Sequence, residues 1–188
     1  IKQQDDSLYR VEKTFFRDND DPLSNDFYGV SQFNSVIEQN QVNTINNLGM
    51  TNNENSFNYS FPTIVTDSLL GIKYYLTANQ SYDGPLKPAV FTNLAYRPDL
   101  NNYQLIDNQS PIKIYRNPYA LPFSYLVDQK LPKLLKSNTA RMNQEAILQK
   151  LMPSQQPYFN ESSLQLQNLN NLKPNNPTNP HSYQVIKK

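Results

Sequence analysis

Residues 66–77 constrain the fold more than any other part of this sequence. Within residues 66–71, Asp67 is placed to cap a short helical turn, and Gly71 stands where a left-handed helix end is expected. Residues 72–77 follow as a run of β-branched and aromatic side chains, which is typical of a strand. The chain is therefore predicted to pass from a helical turn directly into a strand.

Further strands and two longer helices are predicted around this segment. Residues 8–16 alternate between two sides, as a half-buried strand does, and residues 112–115 and 123–127 are also strand-like. Because these elements do not alternate regularly as strand and helix, the sequence predicts an α+β fold. We expect a single mixed domain with several strands and about two main helices, joined by loops rich in Asn and Pro.

The two main helices are predicted from their end signals. A capping box of Ser35 and Glu38 begins the first, and Gly49 ends it. The second covers residues 142–152 and is stopped by Pro153.

Composition changes twice along the chain. Residues 79–102 are rich in Pro, Asn, Asp and Gly and are predicted to form a long surface excursion. After Pro153 the pattern becomes irregular, and residues 173–180 have the composition of a linker. We expect one α+β domain over residues 1–153 and an irregular extension with a Pro/Asn-rich linker over residues 154–188.

The overall composition favours a folded, soluble chain. Aromatic residues reach 12% and the net charge is +1, whereas disordered chains combine few aromatics with a high net charge. No apolar run approaches the length of a membrane span. Lys and Arg are scattered among acids, which argues against a nucleic-acid partner. The chain starts at Ile1 without a signal peptide, so we expect a piece of a larger protein.

Most self-contained chemistries lack the residues they need. The chain has no Cys, and its one histidine, His181, lies in the Pro/Asn-rich segment, so neither a zinc site nor a Ser-His-Asp triad is expected. Four glycines are too few for a phosphate-binding loop or a dinucleotide fingerprint. A glycoside hydrolase would require a pair of carboxylates. The sequence leaves such a pair possible among Glu12, Glu38, Asp67 and residues 18–21.

Five segments are distinctive when taken in order. They are residues 9–15, 20–23 with 28–35, 66–74, 113–122 and 143–148, and residues 66–74 are the most specific. Their order resembles the extracellular region of the YfhO family, large polytopic membrane proteins of Gram-positive bacteria. The resemblance covers about residues 8–152, and the residues after 153 resemble nothing known.

The resemblance implies a parent protein that is a glycosyltransferase of the GT-C type. Such an enzyme takes sugars from a polyprenyl-phosphate donor and adds them to cell-envelope polymers, notably lipoteichoic acid. This chain would then be an extracytoplasmic accessory domain on the extracellular face of the cell membrane. It would bind acceptor or shape the cleft, without a catalytic residue, metal or cofactor of its own. The implied partners are the membrane portion of the same polypeptide and an envelope polymer or lipid-linked sugar.

Four residues in or beside the resembling segments are candidates for substrate contact. Arg10 and Arg17 would pair with polymer phosphates, Asp67 would hydrogen-bond sugar hydroxyls, and Tyr74 would stack on a sugar ring. The alternative is a non-catalytic scaffold domain that docks a partner membrane protein. In that case Arg10 is a strand residue, Asp67 caps a helical turn, and Tyr74 packs in the core.

Overall fold

A computed structural model of the chain describes residues 1, 5–15, 18–84, 97–127, 129 and 139–159. Within these residues the elements follow in the order β1 Arg10–Lys13, α1 Asp21–Ser24, β2 Gln32–Phe33, α2 Gln39–Asn47, β3 Ser56–Phe57, α3 Ile64–Leu69, β4 Ile72–Ala78, a 3₁₀-helix Pro98–Asn102, β5 Gln104–Asp107, β6 Ile112–Arg116 and α4 Ala140–Leu151.

One mixed sheet organises the described part of the chain. Its strand order is β1, β4, β6, β5, and β2 pairs with β3 in a separate two-stranded sheet. β1 runs parallel to β4, whereas β6 is antiparallel to both of its neighbours. Parallel strands need a long crossover, and α2 and α3 lie in the connection between β1 and β4. This mixed sheet, with helices of nine and twelve residues, confirms the predicted α+β fold.

The hydrophobic core lies on one face of β4. Ile72 and Tyr75 are essentially inaccessible to solvent, and they belong to a cluster that includes apolar side chains of α2 and α4. Val42, Ile45 and Ile147 are the buried helical members of this cluster. Each such side chain contributes about 1.5–3 kcal/mol when it is removed from water, so this face holds the helices on the sheet.

α2 begins later than its sequence signals predict. Its N-cap is Glu38, whose carboxylate accepts a hydrogen bond from the backbone of Gln41 at 3.0 Å. The predicted start at Ser35 is wrong, because Asn34 accepts from the Val36 N–H and holds a turn there. The predicted end is confirmed: Gly49 has a positive φ of 103°.

α3 also begins at a different residue from the one predicted. Thr63 is the N-cap, and its hydroxyl and that of Thr66 form a reciprocal capping box. Asp67 is therefore the fourth helical residue, and its predicted role as a cap is wrong. Gly71, with a φ of 64°, ends the turn as predicted, and β4 follows directly.

One strand prediction is wrong, and one strand of the sheet was not predicted. Residues 123–127 form no strand, because Tyr125 donates to the Leu69 carbonyl at 2.7 Å and Phe123 packs under Arg10. β5 was not predicted, since Leu105 and Ile106 sit among polar residues and are each more than 40% exposed.

The predicted surface excursion of residues 79–102 is wrong at its end. Residues 85–96 lie outside the described residues, but Arg97 and Leu100 that follow are buried. They bring the 3₁₀-helix into the core, so this segment contributes to the interior. Residues 160–188 also lie outside the described residues, and the proposed division of the chain at residue 153 stays a prediction.

Candidate functional site

Asp67 is the centre of a buried polar cluster. Its side chain has no solvent exposure and accepts three hydrogen bonds. Tyr59 Oη donates to Oδ1 at 2.6 Å, while Tyr103 Oη and Arg97 Nη2 donate to Oδ2 at 2.6 and 2.7 Å. Burial raises the pKa of the Asp67 carboxyl, and the charge and hydrogen bond of Arg97 oppose that rise. The carboxylate is thus fully occupied by protein donors.

Arg97 connects this cluster to a second carboxylate. Its Nε and Nη2 donate to the two oxygens of Asp99 at 2.8 and 2.6 Å, which is the bidentate geometry favoured by guanidinium and carboxylate. The guanidinium also lies 4.5 Å from the ring centroid of Tyr75. Burial alone would lower the pKa of Arg97, but Asp99 and Asp67 raise it above its ordinary value. Arg97 therefore stays charged within the cluster.

Glu12 is a second buried carboxylate close to this cluster. Its Oε1 accepts from the Val30 N–H at 2.5 Å, which ties the segment after α1 to β1. Burial raises the pKa of Glu12 to about 7, although the N–H groups of Val30 and Ser31 lower it. Lys13 also lowers this pKa and Asp67 raises it. Glu12 is thus poised to titrate near neutral pH.

The carboxylates considered in the sequence do not form an open pair. Glu12 and Asp67 are both buried, at 4% and 0% exposure, and neither lines the basic groove or the outer groove described below. Glu38 caps α2 at the surface. Asp21 is bound to Lys13 Nζ at 2.5 Å. Of these four carboxylates only Glu38 is exposed, so the four do not form the exposed acid–base pair that sugar hydrolysis uses.

A clamp on the other face of the sheet joins the N-terminal segment to β4. Asp5 Oδ2 lies 2.5 Å from Lys73 Nζ and accepts from Tyr74 Oη at 2.7 Å. The Lys73 bond, followed by hydrogen bonds from Ser7, lowers the pKa of Asp5 well below its usual range. Burial, together with the bond to Asp5, raises the pKa of Tyr74 to about 12.

A basic groove of about 640 Å³ lies beside this clamp. Residues from four parts of the chain line it. They are residues 7–9, Gly71 and Lys73 at the start of β4, Gln104 of β5, and residues 116–118 and 120–124. Lys73 and Arg116 are its charged side chains. The Arg116 side chain is exposed and forms no hydrogen bond or ion pair with another described residue. The groove can therefore present positive charge to an anionic ligand.

Asn117 fixes the shape of the basic groove. Its side chain donates to the Ile72 carbonyl at 2.9 Å and its backbone N–H to the Lys73 carbonyl at 2.8 Å. The Asn117 side chain also accepts from the Tyr119 N–H at 2.9 Å. The turn after β6 is thereby held against the start of β4.

Sequence reasoning named four site residues, and the structure places three of them apart. Arg10 donates to the Leu70 carbonyl at 2.7 Å and lies 4.3 Å from the Phe123 ring centroid, behind one wall of the basic groove. Asp67 is in the buried cluster, and Tyr74 is 7% exposed beneath the clamp. Arg17 lies outside the described residues. Direct contact of these four with a substrate stays a prediction.

The residues that sequence reasoning missed are Arg97, Lys73 and Arg116. Arg97 lies in the segment assigned to the surface, where only its spacing from Asp99 hinted at an ion pair. Lys73 and Arg116 both stand within the distinctive segments, but their proximity depends on the antiparallel pairing of β4 with β6.

Comparison with known proteins decides the family. A family model described as bacterial membrane protein YfhO matches residues 1–187. The chain belongs to the YfhO family. The match continues past residue 153. The residues after 153, to which no resemblance was assigned from the sequence, therefore also lie within the family region. No curated protein and no solved structure matches the chain.

Two further observations describe this YfhO-family chain. Of the helices in the described ranges, none is long and apolar enough to cross a membrane. Across the same ranges, no group of three or more His, Cys, Asp and Glu side chains is placed to hold a metal ion. Membership of a membrane-protein family implies a membrane-embedded portion of the same polypeptide.

Proposed function

We propose that this chain is an extracellular accessory domain of a membrane glycosyltransferase, and that its basic groove binds an anionic envelope polymer. The observation that carries the proposal is the exposed Arg116 side chain, which lies with Lys73 in one groove and, unlike Lys73, has no carboxylate partner among the described residues. These cations come from residues 66–74 and 113–122, two of the segments on which the resemblance rests. A phosphate-containing acceptor such as lipoteichoic acid has the matching charge.

Arg116 is the residue with the clearest role in this proposal. A guanidinium binds phosphate oxygens through two parallel hydrogen bonds, and Arg116 is exposed for such contact. Lys73 lies in the same groove but is paired with Asp5 at 2.5 Å, so Arg116 would supply the uncompensated positive charge. Arg10 would act indirectly by holding Phe123, which lines the groove.

Asp67 and Tyr74 are proposed to support the groove rather than to touch the polymer. Asp67 is surrounded by its three donors, so a sugar would reach it only if Tyr59 or Tyr103 moved away. Tyr74 holds the clamp through Asp5. Arg17 is proposed as a further phosphate contact.

The sugar-transfer step is assigned to the membrane portion of the polypeptide. That portion would bind a polyprenyl-phosphate-linked sugar and supply the catalytic carboxylate. The domain described here would hold the acceptor on the extracellular side, and it would need no metal or cofactor. A glycosyltransferase of GT-C type in a Gram-positive envelope fits this division of roles.

The binding proposal is tested by titrating the chain with purified lipoteichoic acid while recording amide chemical shifts by NMR. We expect shifts at residues 71–73 and 116–119, and an affinity at least tenfold lower for Arg116→Ala. Arg141→Ala removes the same charge from the surface of α4 and is the matched control. Equal affinities for both variants, or shifts confined elsewhere, would rule out the basic groove.

A second function, docking of a partner membrane protein, is favoured by an apolar groove. This outer groove, of about 1050 Å³, has Val11, Leu76 and Ile114 on its floor. Leu23 and Tyr28 on its rim are 83% and 58% exposed. Leu23→Glu would reduce copurification of a partner and leave polymer binding unchanged if the outer groove docks a protein. An unchanged partner yield would exclude that role for Leu23.

A further inference from the structure

The ammonium group of Lys73 is already occupied by groups of the chain itself. Its Nζ lies 2.5 Å from Asp5 Oδ2 and donates to Ser7 Oγ at 2.9 Å. The ring centroids of Tyr9 and Tyr74 lie 5.7 and 5.9 Å from the same nitrogen. An ammonium group has three N–H donors, and Asp5 and Ser7 use two of them. Lys73 is therefore largely satisfied within the chain, although it lines the basic groove.

Asp5 is held in this ion pair by contacts to both of its oxygens. Oδ1 accepts from the N–H and the hydroxyl of Ser7 at 3.1 and 2.6 Å, and Oδ2 accepts from Tyr74 Oη at 2.7 Å. The side chains of Asp5 and Lys73 are 12% and 26% exposed, so solvent screens their attraction less than at an open surface. The bonds from Lys73 and Ser7 hold the pKa of Asp5 well below its usual range, and Asp5 stays ionised near neutral pH.

The basic groove therefore offers a ligand one positive charge. Lys73 and Arg116 are the cations among its described lining residues, and none of those residues is acidic. Asp5 lines the neighbouring outer groove and cancels the charge of Lys73 from there. The Arg116 side chain has no such partner among the described residues. A ligand group with a second negative charge would find no free cation and would be repelled by Asp5.

We propose that Asp5 determines the charge specificity of the basic groove, which takes monoanionic groups and discriminates against dianionic ones. Asp5 acts through Lys73 and not by contact with the ligand, so it is a positioning residue. A phosphate diester carries one negative charge, whereas a phosphate monoester carries close to two above its second pKa of about 6. The inference rests on the proposed binding of an anionic polymer, and it adds that each bound unit of that polymer carries a single charge.

The specificity is tested by NMR titration of the chain with dimethyl phosphate and with methyl phosphate, at pH 8 and constant ionic strength. The probes share a phosphate group and carry one and about two negative charges. For the wild-type chain we expect shifts of the amides of residues 116 and 117, and an affinity for methyl phosphate no higher than that for dimethyl phosphate. Asp5→Asn should raise the affinity ratio of methyl phosphate to dimethyl phosphate at least fivefold, because it frees Lys73 to join Arg116.

Two further variants separate this effect from a general change in charge. Asp6→Asn is the matched control, since it removes the same charge at the next residue, which is exposed and is not the partner of Lys73. It should change the affinity ratio less than twofold. Adding Lys73→Met to Asp5→Asn should return the ratio to within twofold of the wild-type value.

Three results would overturn the inference. They are a wild-type chain that binds methyl phosphate more than twofold tighter than dimethyl phosphate, a wild-type chain in which neither probe shifts residues 116 and 117, and an Asp5→Asn ratio equal to that of Asp6→Asn. The first two need no variant. Failure of polymer binding is distinguished separately, because it appears as an affinity for lipoteichoic acid that Arg116→Ala does not change.

Discussion

At the scale of single residues, the burial of Asp67 has an energetic consequence. Its carboxylate and the Arg97 guanidinium are 0% and 4% exposed as side chains and lie 2.7 Å apart. Removing one member of a buried ion pair costs about 3–5 kcal/mol when the other is left unpaired, and without Asp67 the buried Arg97 keeps only the partly exposed Asp99 as its partner. The identity of Asp67 therefore matters to folding whatever its role towards a ligand.

Asp67→Asn is expected to lower the free energy of unfolding by about 3 kcal/mol, because it removes the negative charge opposite Arg97. Urea unfolding followed by circular dichroism measures this. Asp99→Asn is the control, since Asp99 binds the same guanidinium but is 27% exposed, and its loss should cost about 1 kcal/mol. Equal losses for the two variants would contradict a central role for Asp67.

Glu12 gives the fold a dependence on pH. Its folded-state pKa of about 7 lies above the ordinary value of 4.5, so the folded chain binds this proton more tightly than the unfolded chain. Stability from Glu12 is therefore present in full below pH 4.5 and is lost as the pH rises through 7, by roughly 3 kcal/mol in total. Urea unfolding between pH 5 and 8 should show it. Glu12→Gln should flatten this dependence. A wild-type free energy of unfolding that increases towards pH 8 would contradict a raised pKa for Glu12.

The sequence singled out Asp67 but not the residues around it. Tyr59, Arg97 and Tyr103 lie 8, 30 and 36 positions away. Helical and strand periodicity report only on near neighbours, so no local pattern joins these side chains. The same limit applies to Lys73 and Arg116, which meet only once β4 pairs with β6.

At the scale of elements, predictions succeed where local signals are strong. β4 is dense in β-branched and aromatic residues, and Gly49 and Gly71 end helical turns with positive φ, so these features were predictable. β5 and residues 123–127 failed because tertiary contacts decide them. β5 is a strand through its pairing with β6, while residues 123–127 are held by side-chain contacts with Arg10 and Leu69.

Gly71→Ala tests the junction between α3 and β4. The φ of 64° disfavours any Cβ, and a Cβ built there would lie 3.1 Å from the Leu121 carbonyl oxygen. We expect a loss of about 1–2 kcal/mol in the free energy of unfolding. Gly71→Asn should lose less, because Asn tolerates left-handed backbone better than Ala does. A higher melting temperature for Gly71→Ala than for Gly71→Asn would contradict backbone conformation as the cause.

At the scale of the whole molecule, the sheet separates the buried core from the surface grooves. One face of β4 packs on the helices, while the clamp, the outer groove and the basic groove lie towards the other face and its end. The buried cluster around Asp67 stabilises the scaffold, and Asn117 fixes the turn that shapes the basic groove. Rigid support of an exposed cationic site suits the binding of a flexible anionic polymer.

The acceptor-binding role proposed for this domain is tested most directly by the sugar content of lipoteichoic acid from cells that express full-length variants at equal membrane levels. The double variant Lys73→Ala and Arg116→Ala is expected to reduce the sugar per polymer phosphate several-fold, while Arg141→Ala leaves it at the wild-type value. A double variant with wild-type sugar content, at wild-type protein level, would contradict an acceptor-binding role for this domain.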